Sequence, residues 1–412
     1  MKNHKRATIA ILVAILLVAS IYVIIRSPAP LGSIIVPDDY STIQTAIDHA
    51  FAGQTIFVRN GVYHEQHITI DKRISLIGEN SNHTILEGIN NVKYPPPYVI
   101  QISANNVLVS GFTITNGFLG GIRVETLGSV NQPTGCTITG NNIMNNSYGI
   151  STYGGEDLSI SKNNIFNNNE YGIYETSSHS IISENTITQN GWAGIVVDSC
   201  NNVTIVNNSI MGNGNQGNDV IEDQGGVYLR WNGNFNLYSN NITNNEGYGV
   251  QFGEGCSNSV VHDNNIKGNN VGVNLLNFAF TNGSDIGIGV DNTVYENNFD
   301  NKQNVYIETA LPYNISNVDY VNANGTDVVS WNIDLGGNYW SDYNGHGAYI
   351  IDKNNVDHHP LAQHVSISTT APVLFLNTLT IAIIAIVIIV ILVAGLLVYF
   401  KKPKHVRLNG YE

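Results

Sequence analysis

Between Ile143 and Ile266 the chain repeats one short signature six times, and that repetition leaves few folds open to it. The copies read NNIMNN (141–146), NNIFNN (163–168), NTITQN (185–190), NSIMGN (208–213), NNITNN (240–245) and NNIKGN (264–269). Their central isoleucines, Ile143, Ile165, Ile187, Ile210, Ile242 and Ile266, lie 22, 22, 23, 32 and 24 residues apart. A glycine followed by Ile or Val keeps step at Gly149, Gly172, Gly194, Gly226, Gly249 and Gly272. Self-similarity at this period marks a solenoid, whose units bury their apolar faces only against their neighbours. Alternating runs such as Leu158-Ser-Ile-Ser and Val203-Thr-Ile-Val have the period of strands, which excludes stacked helix pairs.

A rung of three short strands joined by tight turns follows, with successive rungs ~4.8 Å apart, so that equivalent residues form columns. The isoleucines become an inward aliphatic column. Asn141, Asn163, Asn185, Asn208, Asn240 and Asn264, two residues earlier, become an asparagine ladder. Asn tolerates a left-handed turn and its amide bonds its equivalents above and below. The glycine column suits a turn with positive φ. Further rungs extend the stack through Val107-Leu-Val-Ser-Gly-Phe-Thr-Ile and Val294-Tyr-Glu-Asn-Asn-Phe. At the amino end, residues 40–50 read as one amphipathic helix with Ser41 and Gln44 as a capping box and Ile43, Ala46, Ile47 and Ala50 on one face. Such a helix seals the open end of the coil.

The stretches Gly53-Gln-Thr-Ile-Phe-Val-Arg-Asn-Gly-Val-Tyr and Ile74-Ser-Leu-Ile-Gly-Glu-Asn resemble the start of pectin-lyase-like right-handed parallel β-helices. With the repeat signature, Gly337-Asn-Tyr-Trp-Ser-Asp-Tyr and Asp357-His-His-Pro-Leu, the chain more closely resembles the NosD-type and carbohydrate-binding/sugar-hydrolase (CASH) β-helix families over residues 34–362. The resemblance implies an all-β, right-handed parallel β-helix at 34–310 and an irregular β segment and linker at 311–371. Many relatives carry an Asp-rich, calcium-loop-like stretch between the last two motifs. Here it is shortened to Asn344-Gly-His-Gly-Ala-Tyr-Ile-Ile-Asp.

The ends point to a membrane. Residues 7–25 form 19 successive uncharged residues after Lys2, Lys5 and Arg6, enough helix to span roughly 28 Å. No clean small-x-small cleavage site precedes Arg26, so 1–26 is expected to be a membrane anchor or a signal segment, with the retained anchor favoured. Residues 372–400 form a second apolar run, stopped by Lys401, Lys402, Lys404 and Arg407 in the tail 401–412. Basic tails stay cytoplasmic, which puts the β-helix outside, flanked by two transmembrane helices. Between Ser27 and Pro372 there are 10 Lys/Arg against 31 Asp/Glu, a net charge of −21 that excludes a nucleic-acid partner. Sequons at Asn82, Asn145, Asn202, Asn207, Asn241, Asn282, Asn314 and Asn324 fit glycosylation on an exposed, archaeal type of cell surface. Of three cysteines, Cys136 occupies a core position, while Cys200 and Cys256 share a column two rungs, ~9.6 Å, apart. That separation rules out a disulfide.

Chemistry belongs on the outward face. The second and fourth residues after each glycine give Arg123 and Glu125, Ser151 and Tyr153, Tyr174 and Thr176, Val196 and Asp198, Tyr228 and Arg230, then Gln251. Tyr153, Tyr174, Asp198, Tyr228, Arg230 and Gln251 suit a polysaccharide or glycoprotein glycan, whose rings stack on aromatics and whose hydroxyls meet planar polar groups. The insertion 211–224 brings Asp219, Glu222 and Asp223 just before the strand of Tyr228 and Arg230. With Asp198 and Arg230 these supply the residue types of a polysaccharide hydrolase, with an acid and a base or nucleophile, or of a lyase with a calcium cluster and a basic residue. The resemblance to NosD, whose family is linked to copper delivery for nitrous oxide reductase, offers a third reading on His358, His359 and His364. His64 and His67, at i and i+3 of an extended run, point to opposite faces and do not share a site. Calcium and copper are thus the candidate ions, and glycan binding is the expected function.

Overall fold

The computed structural model describes residues 29–65, 67–88, 98–126, 132–215, 224–231, 233–253, 255–276, 278–281, 291–308, 319–322, 329–334, 336–353 and 355–367. Both apolar end runs, and with them the expected membrane helices, lie outside these residues. Among the described residues no helix is long and apolar enough to cross a membrane.

The described residues build a coil of three parallel sheets. Sheet A has 12 strands, from Ile34–Val36 to Val329–Ser330, and sheet B has 11, from Gly61–Tyr63 to Tyr339–Trp340. Sheet C has 10, from Ile68–Ile70 to Gln303–Glu308. Each strand pairs with its equivalent one rung on, and the register runs Ile143, Ile165, Ile187, Ile210, Ile242, Ile266 as the spacing requires. All six side chains are fully buried. Pairing in sheets A and B carries on past residue 310, the expected carboxyl boundary of the coil, as far as Trp340.

Two asparagine ladders run down the corners, where one was expected. In the first, Asn141 donates from both its backbone N–H and Nδ2 to Asn163 Oδ1 at 3.1 Å. The same pair of hydrogen bonds steps through Asn185, Asn208, Asn240, Asn264 and Asn297 to Asn338. The second links Asn146, Asn168, Asn190, Asn213, Asn245, Asn269 and Asn301. Each amide also reaches a carbonyl of an earlier strand, as Asn163 Nδ2 does to Ile138 O at 2.9 Å. A buried turn has no water to satisfy its backbone, and the ladders supply those partners.

Two local expectations are corrected. The left-handed residue is not the ladder Asn but the one before it: Lys162, Glu184, Asn207, Ser239 and Asp263 have φ of 53–57°. The glycine column is not left-handed either. A Cβ on Gly172 would stand 2.6 Å from the Gly194 carbonyl oxygen and 2.7 Å from Ile187 Cγ2, so glycine is needed for close packing of rung on rung.

The amino-terminal helix spans Ile43–His49 and buries Ile43, Ala46 and Ile47 against the first strands. Its N-cap is Thr42, whose hydroxyl accepts from Thr45 N–H at 3.2 Å, in place of the expected Ser41. Gln44 does not close a capping box; it bonds Asp48 and Thr69. Glu65, on the loop between the strands Gly61–Tyr63 and Ile68–Ile70, takes the free N–H groups of Ile43 and Gln44 at 2.7 and 3.0 Å, where a carboxylate complements the helix start. At the other end Trp340 stacks between Phe299 and Tyr349, at 4.6 and 4.3 Å, and closes the core.

Candidate functional site

Sheet C carries the outward face in the expected register: Arg123, Ser151, Tyr174, Val196, Tyr228 and Gln251 lie side by side on successive strands. Asp198 and Arg230 are neighbours in a second column. A third outward position, the residue before each glycine, adds Tyr148 and Tyr171. Together these build an apolar cluster on the outside of the coil. Tyr171, Ala193, Val196 and Tyr228 are buried, and Tyr148, Tyr174 and Trp192 pack against them half-exposed. The rings meet edge-on or tilted, Tyr171 with Trp192 at 5.1 Å and with Tyr148 and Tyr174 at 5.5 Å, the geometry that aromatic quadrupoles favour.

The polar centre lies beside this cluster. Tyr174 Oη donates to Asp198 Oδ2 at 2.6 Å, and Arg230 Nη2 lies 3.0 Å from the same oxygen and 3.4 Å from Tyr174 Oη. Ser199 Oγ donates to Asp198 Oδ1 at 2.8 Å, and the Arg230 guanidinium stands 5.3 Å over the Tyr228 ring. Burial, and then the hydrogen bond to Asp198, push the Tyr174 phenol above its ordinary range, so it is a donor at neutral pH. The group presents hydroxyl, carboxylate and guanidinium to one point, held in place before any ligand arrives.

A similar arrangement recurs toward the amino end. Arg123 holds Glu125 Oε2 through Nε and Nη2 at 2.7 Å and bonds Ser151 Oγ at 2.8 Å. Its guanidinium lies over Tyr98 and Tyr153, at 5.4 and 5.3 Å. Tyr153, 58% exposed, therefore belongs with Arg123 and not with Tyr174.

The structure brings some expected residues together and separates others. Tyr174, Asp198 and Arg230 converge. Tyr228 and Gln251 point out of the coil and are only 2% exposed, and Tyr228 is the floor under Arg230. Asp219, Glu222 and Asp223 lie outside the described residues.

Among the described residues no three His, Cys, Asp or Glu side chains come close enough to hold an ion. His364 stacks on Tyr339 at 4.0 Å with Lys267 Nζ 3.1 Å from its Nδ1, and burial, then Lys267, lower its basicity. A cation at that nitrogen opposes a second one. The backbone N–H groups of His358 and His359 donate to Asn332 and Asp357, and His64 Nδ1 faces Glu87 at 3.2 Å. The cysteines are buried and unbridged. Of the sequon asparagines, Asn82, Asn145 and Asn202 are exposed and Asn207 and Asn241 half-buried; Asn282, Asn314 and Asn324 lie outside the described residues.

Three features escaped the sequence reading. Trp192 packs on Tyr171 at 5.1 Å, and Trp231, directly after Arg230, is 46% exposed with φ of 52°. Its place directly after Arg230 was the available signal. Glu175 points into the coil, in the column of Val197 and Leu229, and is fully buried. Its Oε1 accepts from Thr152 Oγ1 at 3.0 Å and Ser177 N–H at 2.6 Å, and burial pushes its pKa up to about 7.

Comparison with known proteins places this geometry. The family described as right-handed beta helix region matches residues 76–223, and the family described as periplasmic copper-binding protein (NosD) matches residues 214–345. A cell surface glycoprotein of Methanothermus fervidus is 31% identical over 333 residues, covering 73% of this chain and 51% of that protein. The chain thus spans about half the length of the curated relative it matches. Among solved structures, the A-module of mannuronan C-5 epimerase AlgE4 of Azotobacter vinelandii superposes with a TM-score of 0.53 at 19% identity, over 67% of this chain and 79% of that one. The AlgE6 A-module of the same organism gives 0.52 at 16% identity, over 72% and 88%. At these identities the structural likeness speaks for the fold alone. With three parallel sheets and both family matches on one coil, the chain is a right-handed parallel β-helix that is similar to the NosD type over residues 214–345.

Proposed function

We propose that this is a cell-envelope protein whose sheet C binds polysaccharide or the glycans of a glycoprotein. The observation that carries the reading is the convergence of Tyr174, Asp198 and Arg230 within 3.4 Å beside the half-exposed rings of Tyr148, Tyr174 and Trp192. Sugar recognition needs both parts: aromatic surface for the C–H face of a pyranose, and fixed donors and acceptors for its hydroxyls. The relative from Methanothermus fervidus, named as a cell surface glycoprotein, supports an extracellular setting. The apolar runs at 7–25 and 372–400 anchor the β-helix to the membrane from outside. Protease added to intact cells then digests the middle of the chain and spares the basic tails. Copper delivery has less support, because Lys267 stands against His364.

The test is a glycan array combined with a product assay, run on the full-length protein in detergent and on Tyr174→Ala and Asp198→Asn. Binding by the wild type, lost in Tyr174→Ala and without products, supports a binding protein. Products that vanish with Asp198→Asn establish a polysaccharide-cleaving enzyme instead. No signal on any glycan ends the reading.

A further inference from the structure

The charge pattern of the site selects among glycans, an inference that rests on the glycan-binding reading. Between residues 98 and 253 the chain has only three Lys/Arg, namely Arg123, Lys162 and Arg230, against eleven Asp/Glu. Both arginines stand on sheet C and both are already matched, Arg123 by Glu125 at 2.7 Å and Arg230 by Asp198 at 3.0 Å. Lys162 sits on a turn between sheets A and B, 3.8 Å from Glu184. Glu170, bonded to Ser147 Oγ at 2.7 Å and beside Tyr148, adds a further carboxylate to the face.

We infer that the ligand is an uncharged sugar chain, and that uronate and sulfated glycans are refused. Recognition of a carboxylate or sulfate rests on charge-assisted bonds from a guanidinium or ammonium group. Here an anionic sugar would have to displace Glu125 or Asp198 from its arginine, next to the carboxylate so released. A sugar hydroxyl has no such conflict. It donates to the carboxylate and accepts from the guanidinium or the Tyr174 phenol, and the ion pair stays whole.

Trp231 supplies the apolar half of the same recognition. A bulky side chain rarely adopts a left-handed backbone, and where it does the surroundings hold it there. The Trp231 ring lies on Gly255, where an added Cβ would stand 3.1 Å from Trp231 Cε3. Gly255 is itself left-handed at φ 64°. The indole is thus a seated platform directly after Arg230, and an indole face rewards the C–H face of a neutral pyranose.

The experiment is an array of neutral, uronate-containing and sulfated glycans probed with the full-length protein. Calorimetry on the hits follows, at sodium chloride from about 50 to about 500 mM, over which exposed charge–charge attraction is screened. The expected result is that all hits are neutral, with affinity changing less than about twofold across that range. Trp231→Ala then loses them without loss of fold, and ligand quenches tryptophan fluorescence in the wild type but less in Trp231→Phe. Glu125→Gln and Asp198→Asn each release an arginine and bring uronate binding that the wild type lacks. Hits confined to uronate or sulfated glycans, with affinity falling as salt rises, overturn the inference and leave glycan binding standing. An array with no hits overturns both.

Discussion

The first asparagine ladder ends on Asp357: the backbone N–H of Asn338 donates to Asp357 Oδ2 at 2.7 Å. Every rung of the ladder donates toward the carboxyl end, so the last one leaves a donor that no further Asn can meet. A carboxylate is acceptor-only, and Asp357 is fully buried to meet it. The Trp340 indole donates to the same oxygen at 2.9 Å, and His359 N–H to Oδ1 at 3.0 Å. Gly337 has no room for a Cβ, which would run into that carboxylate. The second ladder ends alike, with Asn301 bonded to Asn304 and Asn304 Nδ2 donating to Asp342 Oδ1 at 2.9 Å. The motifs Gly337-Asn-Tyr-Trp-Ser-Asp-Tyr and Asp357-His-His-Pro-Leu are therefore the carboxyl cap of the coil. Asp357→Ala strips two buried donors, and the N–H of the exposed His359, of their acceptor and is expected to cost about 3 kcal/mol of stability by denaturant unfolding. Asp342, which is exposed, costs less when replaced by Ala. Equal effects at the two positions would contradict this account of the cap.

A break within a ladder acts on both neighbouring rungs. Asn190 Oδ1 accepts from Asn168 N–H and Nδ2 at 3.1 and 2.9 Å, and its Nδ2 reaches Ile165 O at 3.3 Å. Asn190→Ala leaves these groups buried without partners and is expected to cost about 3 kcal/mol. Hydrogen exchange should show the amide of Asn168 losing protection before those of distant rungs. Uniform loss along the whole coil would mean that the ladder does not act locally.

The coil was legible because its core repeats. Ile187 and its equivalents fall in one column at any spacing from 22 to 32, since extra residues leave through turns without disturbing the register. The second ladder was present in the same six-letter signature, whose last letter is Asn in every copy, yet the isoleucine drew the reading. The site was only partly legible. Alternation says which way Tyr174, Tyr228 and Gln251 point, and pointing outward is not exposure: a face can carry its own apolar layer, as Tyr171 and Val196 do here. Trp231 and Glu175 were missed because each breaks a rule, a bulky residue on a left-handed turn and a carboxyl in an apolar column.

Glu175 makes stability depend on pH. Burial raises its carboxyl from the ordinary value to about 7, so between the two values the folded chain holds a proton that the unfolded chain has released. Stability therefore falls as pH rises through that window and levels off above it, by an order of about 3 kcal/mol for this shift. Glu175→Gln keeps the acceptor for Thr152 and Ser177 and carries no charge. It is expected to raise the unfolding midpoint at pH about 8.5 and to change it little near pH 5. A variant with the same gain at both pH values would show that packing, not ionisation, sets the effect.

Tyr174 separates stacking from hydrogen bonding at the site. Tyr174→Phe keeps the ring that packs with Tyr171 at 5.5 Å and removes the hydroxyl that donates to Asp198. The Asp198–Arg230 pair keeps its own contact at 3.0 Å. The fold should then lose no more than about 1 kcal/mol, the net worth of one hydrogen bond. Glycan affinity should drop by about tenfold, since a ligand hydroxyl loses a fixed partner inside a site built to hold it. Tyr174→Ala should lose more, because the ring no longer supports Tyr148 and Tyr171. If Tyr174→Phe binds glycan as the wild type does while Tyr174→Ala does not, the phenol takes no part in recognition, and the aromatic cluster of Tyr148, Tyr174 and Trp192 holds the sugar by its face alone.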